Sequence, residues 1–149
     1  MDNNKATDIY GICEYVDVPG LGLKHVLAKI DTGAYSGALH CSKIRETVRK
    51  SDGKKTLIFT PSYNHSEEVR LRKFAKSYVR SSTGHRSKRY LFDTDIVIKG
   101  ETQKIRIGLS NRSDMNYEML IGRRFLNENN IIVDVRVNQE LDIDREKKI

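Results

Sequence analysis

Apolar residues in this chain recur at every second position, run after run, and the three-and-four spacing of an amphipathic helix is hard to find. Tyr90, Phe92, Ile96 and Ile98 fall on one face of one such run, with Asp93 and Asp95 on the other. In the next, Ile105, Ile107 and Leu109 alternate with Lys104 and Arg106. Side chains of an extended chain point alternately to opposite faces, so a period of two marks strands with one face buried. The runs are short, rich in β-branched and aromatic residues, and separated by Gly, Pro, Asn and Ser, the residues of turns. A mainly all-β chain is expected.

In chain order, a first strand is predicted over residues 10–18, stopped by Pro19-Gly20. A second follows over 24–30, with Val26, Ala28 and Ile30 sharing a face. After Asp31-Thr32-Gly33-Ala34 come an alternating stretch with Ile44 and Val48, a hairpin signal at Ser51-Asp52-Gly53, and an apolar strand over 56–59. Residues 61–66 read as loop. Val69 and Leu71 alternate with Arg70 and Arg72, and a long hairpin follows whose small-residue tip spans 81–85. A turn at Gly100-Glu101 leads to the next strand and a loop over 111–116. A buried apolar strand over 119–122, one short helix over 123–129 and a last strand over 131–137 complete the pattern. The charged tail from about residue 139 is expected to fray.

At 149 residues one domain is expected, spanning 1–149, with residues 42–76 as an insertion. The 38% apolar and 32% charged residues fit a small core under a heavily charged surface. The formal charge of +7 is unevenly placed. Residues 43–89 hold 14 Lys and Arg against 4 Asp and Glu, a net +10; the rest of the chain holds 13 against 16, a net −3. Such a block is either a solvated basic face or an attractor of polyanions. Cys13 and Cys41 form no disulfide framework and no metal spacing, and read as reduced, half-buried thiols. The polar N-terminus has no apolar leader and no stretch approaches a membrane span, so a cytoplasmic protein is expected.

An Asp placed directly after an apolar strand and followed by Thr-Gly is the loop with which aspartic peptidases activate water. Asp31 supplies the carboxylate, Thr32 a small hydroxyl able to bond neighbouring backbone, and Gly33 a tight turn without a Cβ clash. Ala34 offers no hydroxyl to lower the carboxyl pKa, which suggests a site working at milder pH than acid-secreted enzymes. Far downstream, Leu120-Ile121-Gly122-Arg123 fits the strand that crosses beneath such a loop, where Gly permits close backbone approach.

These motifs resemble the retropepsin-like aspartic peptidase family of the RimB type, whose members have also carried the name ATP-dependent zinc protease. AKIDTGAYSGALHC is similar to the family's DTGAxTSALHA, VRSSTGHRSKRYLF to its VRxSxGHxExRYVI hairpin, and GLSNRSDMNYEMLIGRRFL to its LTNRxxMxxxMLLGRxxL segment. IIVDV matches its closing strand. The resemblance implies a retropepsin-like acid-protease barrel with one short C-terminal helix, Asp31 as catalytic, and Thr32, Gly33 and Ala34 as its loop. It further implies a flap with Thr83, Gly84 and His85 at its tip, and Leu120, Ile121 and Gly122 as structural support. Ser36, Gly37 and Cys41 depart from the pattern, as does Arg86-Ser87-Lys88, which makes the flap more basic. Neither part of the older name has a basis here. There is no His-Glu-x-x-His, His25, His40, His65 and His85 lack ligand spacing, and no phosphate-binding GxxxxGK[ST] occurs, so no metal or other cofactor is expected. His40 reads as a satisfied, half-buried histidine.

The peptidase reaction needs two carboxylates sharing a proton, and this chain carries one Asp-Thr-Gly; Asp93-Thr94-Asp95 lacks the Gly and reads as outward-facing acids. A homodimer pairing two Asp31 loops is expected. The basic flap favours an acidic or Glu-rich peptide, and the resemblance suggests association with an ATP-grasp glutamate ligase. Two other readings stay open: a non-catalytic peptide-binding module on the same fold, and a nucleic-acid binder using residues 43–89, with Tyr63, Tyr78 and Tyr90 to stack on bases.

Overall fold

In the computed structural model, which describes residues 7–62, 67–80, 83–111 and 116–144, the alternating runs become eleven strands and one α-helix among the described residues. The strands are β1 (Asp8–Tyr10), β2 (Cys13–Val18), β3 (Leu23–Asp31), β4 (Gly37–Val48), β5 (Lys55–Pro61), β6 (Val69–Leu71), β7 (Ala75–Arg80), β8 (Arg86–Ile98), β9 (Glu101–Ser110), β10 (Met119–Gly122) and β11 (Ile131–Val133). The helix, α1 (Arg123–Glu128), follows β10 without a break. Six strands in the order β10-β3-β2-β8-β9-β4 close on themselves because β4 returns to pair with β10, and the expected barrel is formed. Val16, Val18, Ile30, Leu39, Ile107 and Ile121 are among the buried side chains that fill it.

The first predicted strand is broken by Gly11. A Cβ at that position would lie 2.5 Å from the Val137 carbonyl oxygen, so only glycine admits the C-terminal segment here. Ile12 N–H donates to that same carbonyl at 3.0 Å, and the chain before the break pairs in parallel with β11 as a separate two-stranded sheet. The last strand accordingly ends at Val133 instead of continuing to 137, because Asp134 turns the chain by accepting from Arg136 N–H at 2.9 Å. As far as residue 144 the tail is bonded to the barrel. Tyr117 Oη donates to Asp142 at 2.6 Å and accepts from Ile143 N–H at 3.2 Å, which holds the described tail to the barrel. The hairpin between β8 and β9 turns at Lys99-Gly100, one residue earlier than predicted, with φ of 51° and 77°, the two positive values of a tight hairpin turn.

β4 joins two regions. Its first half pairs with β9 and β10 inside the barrel, and from Cys41 onward it pairs with β5. The change occurs at a bulge between Ser42 and Arg45, where Lys43 has φ 55°. The stretch 42–76 is therefore the outer half of β4, β5, β6 and the start of β7. It contributes to the core: Leu57 and Phe59 are fully buried in the main cluster, and Phe59 lies 5.9 Å from Phe92. No helix among the described residues is long and apolar enough to cross a membrane.

Candidate active site

Asp31 is the last residue of β3, a strand held on one side by β2 and on the other by β10. β10 lies between the strand that enters the loop and the strand that leaves it: Met119 registers with Ala28 and Leu39, Leu120 with Lys29 and Ala38. The loop 32–36 thus arches over the end of β10, where Gly122 stands opposite Asp31. A Cβ on Gly122 would meet the carbonyl oxygens of Tyr35, Ser36 and Ala34 at 2.6, 2.7 and 2.8 Å, and all three are backbone atoms that yield only if the loop itself shifts. β10, with Leu120, Ile121 and Gly122, thus crosses closely beneath the loop.

The start of α1 fixes the loop further. Arg123 N–H donates to the Ala34 carbonyl at 2.8 Å and Arg124 N–H to the Tyr35 carbonyl at 3.0 Å, so two of the helix's open donors are satisfied by the loop itself. The Arg123 side chain reaches back as well, donating from Nη1 to the Gly33 carbonyl at 3.1 Å and lying 5.4 Å from the centre of the Tyr35 ring. Sequence reasoning gave Arg123 no role. Its only signal was its position directly after Gly122, which places it at the first turn of a helix that begins under the loop.

Within the loop, Gly33 N–H donates to Asp31 Oδ1 at 3.0 Å and Ala34 N–H to the Asp31 carbonyl at 3.2 Å. A Cβ on Gly33 would come within 3.2 Å of the same Oδ1, so the glycine leaves room for the carboxylate. Asp31 is half-buried, and its second oxygen has no hydrogen-bond partner among the described residues. One oxygen is oriented and the other is open, the arrangement needed to hold a water. Thr32 is exposed, and its hydroxyl has no partner among the described residues. Tyr35 is 58% exposed beside it.

Thr83, Gly84 and His85 are exposed at the end of the arm formed by β7 and β8, and among the described residues β7 pairs with β8 alone. Gly84 has φ 88°, which fits it for a tip. Ser81 and Ser82, also predicted at this tip, lie outside the described residues, as do Tyr63 and His65. The arm is basic: Arg86 covers the Tyr78 ring at 4.6 Å and Lys88 the Tyr90 ring at 5.4 Å. Tyr78 and Tyr90 therefore already carry cations. Asp93 and Asp95 point outward to Arg106 at 2.8 Å and Lys104 at 3.4 Å, and the Asp93 carboxyl is held below its usual range by its bond to Arg106.

Both cysteines are fully buried, not half-buried, because they face the interior beside the C-terminal segment and β9; burial pushes the Cys41 thiol up to about 12. His40 too is more buried than expected, its N–H donating to the Glu118 carbonyl at 2.7 Å. Among the described residues no three His, Cys, Asp or Glu side chains gather as metal ligands would.

The model of one family, the RimB-like retropepsin-like aspartic endopeptidases, matches residues 9–141, taking in the loop, the arm and the crossing strand together. The chain belongs to this family. It is similar as well to the crystal structure of a Legionella pneumophila protein of unknown function, with 29% identity, a TM-score of 0.64, and coverage of 87% of this chain and 94% of that one. Among curated proteins it is 29% identical over 136 residues to a probable alpha-L-glutamate ligase of Shewanella pealeana, and 30% identical over 136 residues to one of Shewanella halifaxensis. The match takes in 89% of this chain but 29% of each of those relatives, so the RimB-like chain corresponds to a minor part of their length.

Proposed function

We propose that this RimB-like chain is one half of an aspartic endopeptidase, completed when a second copy brings its own Asp31 to the first across a two-fold axis. One carboxylate then takes a proton from the shared water, whose oxygen attacks the peptide carbonyl, while the other gives its proton to the carbonyl oxygen. Collapse of the tetrahedral intermediate breaks the C–N bond, and the amine leaves with a proton from the dyad. The observation that carries this reading is the open oxygen of Asp31 on a loop clamped from below by Gly122 and α1. The exposure of Thr32, Gly33 and Tyr35 supports a meeting of two loops, since these residues are available to a partner. The basic arm, with Arg86 and Lys88 exposed, supports acidic or Glu-rich peptides as substrates.

A second reading draws on the curated relatives. Because the matched segment is part of longer chains named as glutamate ligases, this domain would bind acidic polypeptide for a partner ligase and cut nothing. Hydrolysis of a Glu-rich peptide by the wild-type protein and by Asp31→Asn separates the two. The peptidase reading expects the substitution to lower kcat/KM by about a thousandfold or more with unchanged melting temperature. Equal turnover by both proteins, or binding without turnover by either, refutes it.

A further inference from the structure

At the outer end of β4, opposite in the strand to the Asp31 loop, five cations line one groove. Arg49, Lys54, Lys55, Arg72 and Lys76 surround a space of about 370 Å³ that also takes in Phe74. Two have carboxylates of their own, Arg49 with Asp52 at 3.4 Å and Lys76 with Glu46 at 2.5 Å. Among the described residues Lys54, Lys55 and Arg72 have none. Three unneutralised cations in a space that holds two or three side chains repel one another, and a bound anion relieves that repulsion.

The scaffold under these charges is built, not trailing. The β4–β5 turn is closed by Arg49 N–H donating to the Lys54 carbonyl at 2.8 Å and by Lys54 N–H donating to Asp52 at 3.0 Å. Phe74 is half-buried and packs edge-on against Tyr90 at 6.0 Å, which sets the direction of its neighbours Arg72 and Lys76. The Lys76–Glu46 pair ties β7 to β4, with both side chains largely covered.

We propose that this groove docks an acidic polypeptide segment, as a site separate from the Asp31 loop. The eleven steps along β4 from Gly37 to Val48, at about 3.3 Å each, put the groove on the order of 30 Å from the loop. A carboxylate-bearing chain fits better than nucleic acid for three reasons. The two anions already seated at the groove, Asp52 and Glu46, are carboxylates. Phe74 has its ring committed to Tyr90 and offers no free stacking platform, without which single-stranded nucleic acid loses much of its binding. β6 is the last strand of its sheet, so an extended peptide entering the groove finds an open strand edge beside it. The proposal does not rest on the peptidase reading, because docking here needs no contact with Asp31.

The test uses the full chain carrying Asp31→Asn, so that no probe is cut, and a labelled decaglutamate peptide followed by fluorescence anisotropy at about 0.15 M salt. Lys54→Glu/Lys55→Glu is expected to weaken binding by about tenfold or more, and Arg72→Gln by about threefold. Lys24→Glu/Lys104→Glu changes net charge as much as the groove double variant and is expected to cost less than about threefold. Melting temperatures confirm that each variant is folded. Equal weakening by the groove and control pairs means a diffuse basic surface and overturns the proposal. So does an oligothymidylate that binds more tightly than decaglutamate and loses that binding in the Lys54/Lys55 variant.

Discussion

The two ends of β4 lie in regions held together in opposite ways. At its start the chain runs against β10 and the loop with backbone on backbone: a glycine facing three carbonyls, two helix N–H groups capped by the loop, and one arginine reaching a fourth carbonyl. At its far end the strand supports an apolar ladder, Leu57 and Phe59 inside, with ion pairs and unpaired cations outside. Almost nothing in the first region can change without moving the loop. In the second, the outer charges can change while the ladder beneath them stays. The proposed reaction chemistry thus falls in the part that tolerates least substitution, and the proposed docking of acidic chains in the part that tolerates most.

If the extension is part of the core and not an appendage, Leu57→Ala is expected to cost about 3 kcal/mol, a fall in melting temperature of roughly 10 °C in calorimetry. A loss below about 1 kcal/mol would mean that the extension folds apart from the barrel. Gly122→Ala is expected to cost somewhat less in stability, about 2 kcal/mol, because the loop can give way. It should nonetheless abolish peptide hydrolysis, and a Gly122→Ala protein with wild-type turnover would break the link between the crossing and the site. The smallest effect concerns Glu46, whose carboxyl is held below its ordinary 4.5 by the Lys76 bond and charge. A depressed folded value means that the contribution is present above pH 4.5 and is lost as pH falls through the lower folded value. Glu46→Gln should therefore lower stability by less than about 1 kcal/mol near pH 7 and leave it unchanged once pH has fallen below the folded value, which flattens the acid limb of the melting-temperature profile. An equal loss at both pH values would assign Glu46 a packing role instead.

The same contrast explains what could be read from the chain. The loop and its crossing strand were legible because their geometry follows from backbone sterics: Asp31-Thr32-Gly33 after alternating Val26, Ala28 and Ile30, and a glycine after two apolar residues, leave few other arrangements. The barrel strands were legible from period two. Gly11 was not, since its need arises from Val137, a residue more than a hundred positions away, and the shortening of the last strand follows from the same contact. The bulge at Lys43, which turns an unplaced insertion into an extension of the core, leaves no alternation signal because it interrupts the period. The reach of Arg123 to Gly33 and the grouping of Lys54, Lys55 and Arg72 depend on register between strands, which charge counting along the chain cannot supply.

The central claim is that Asp31 is half of a site. Wild-type and Asp31→Asn chains, mixed at fixed total concentration and allowed to exchange subunits, test it directly through the rate of peptide cleavage. If each site needs two Asp31 carboxylates, activity follows the square of the wild-type fraction, and an equal mixture retains about a quarter of the wild-type rate. A linear fall, with about half the rate at equal mixture, would show that one chain suffices and would contradict the account.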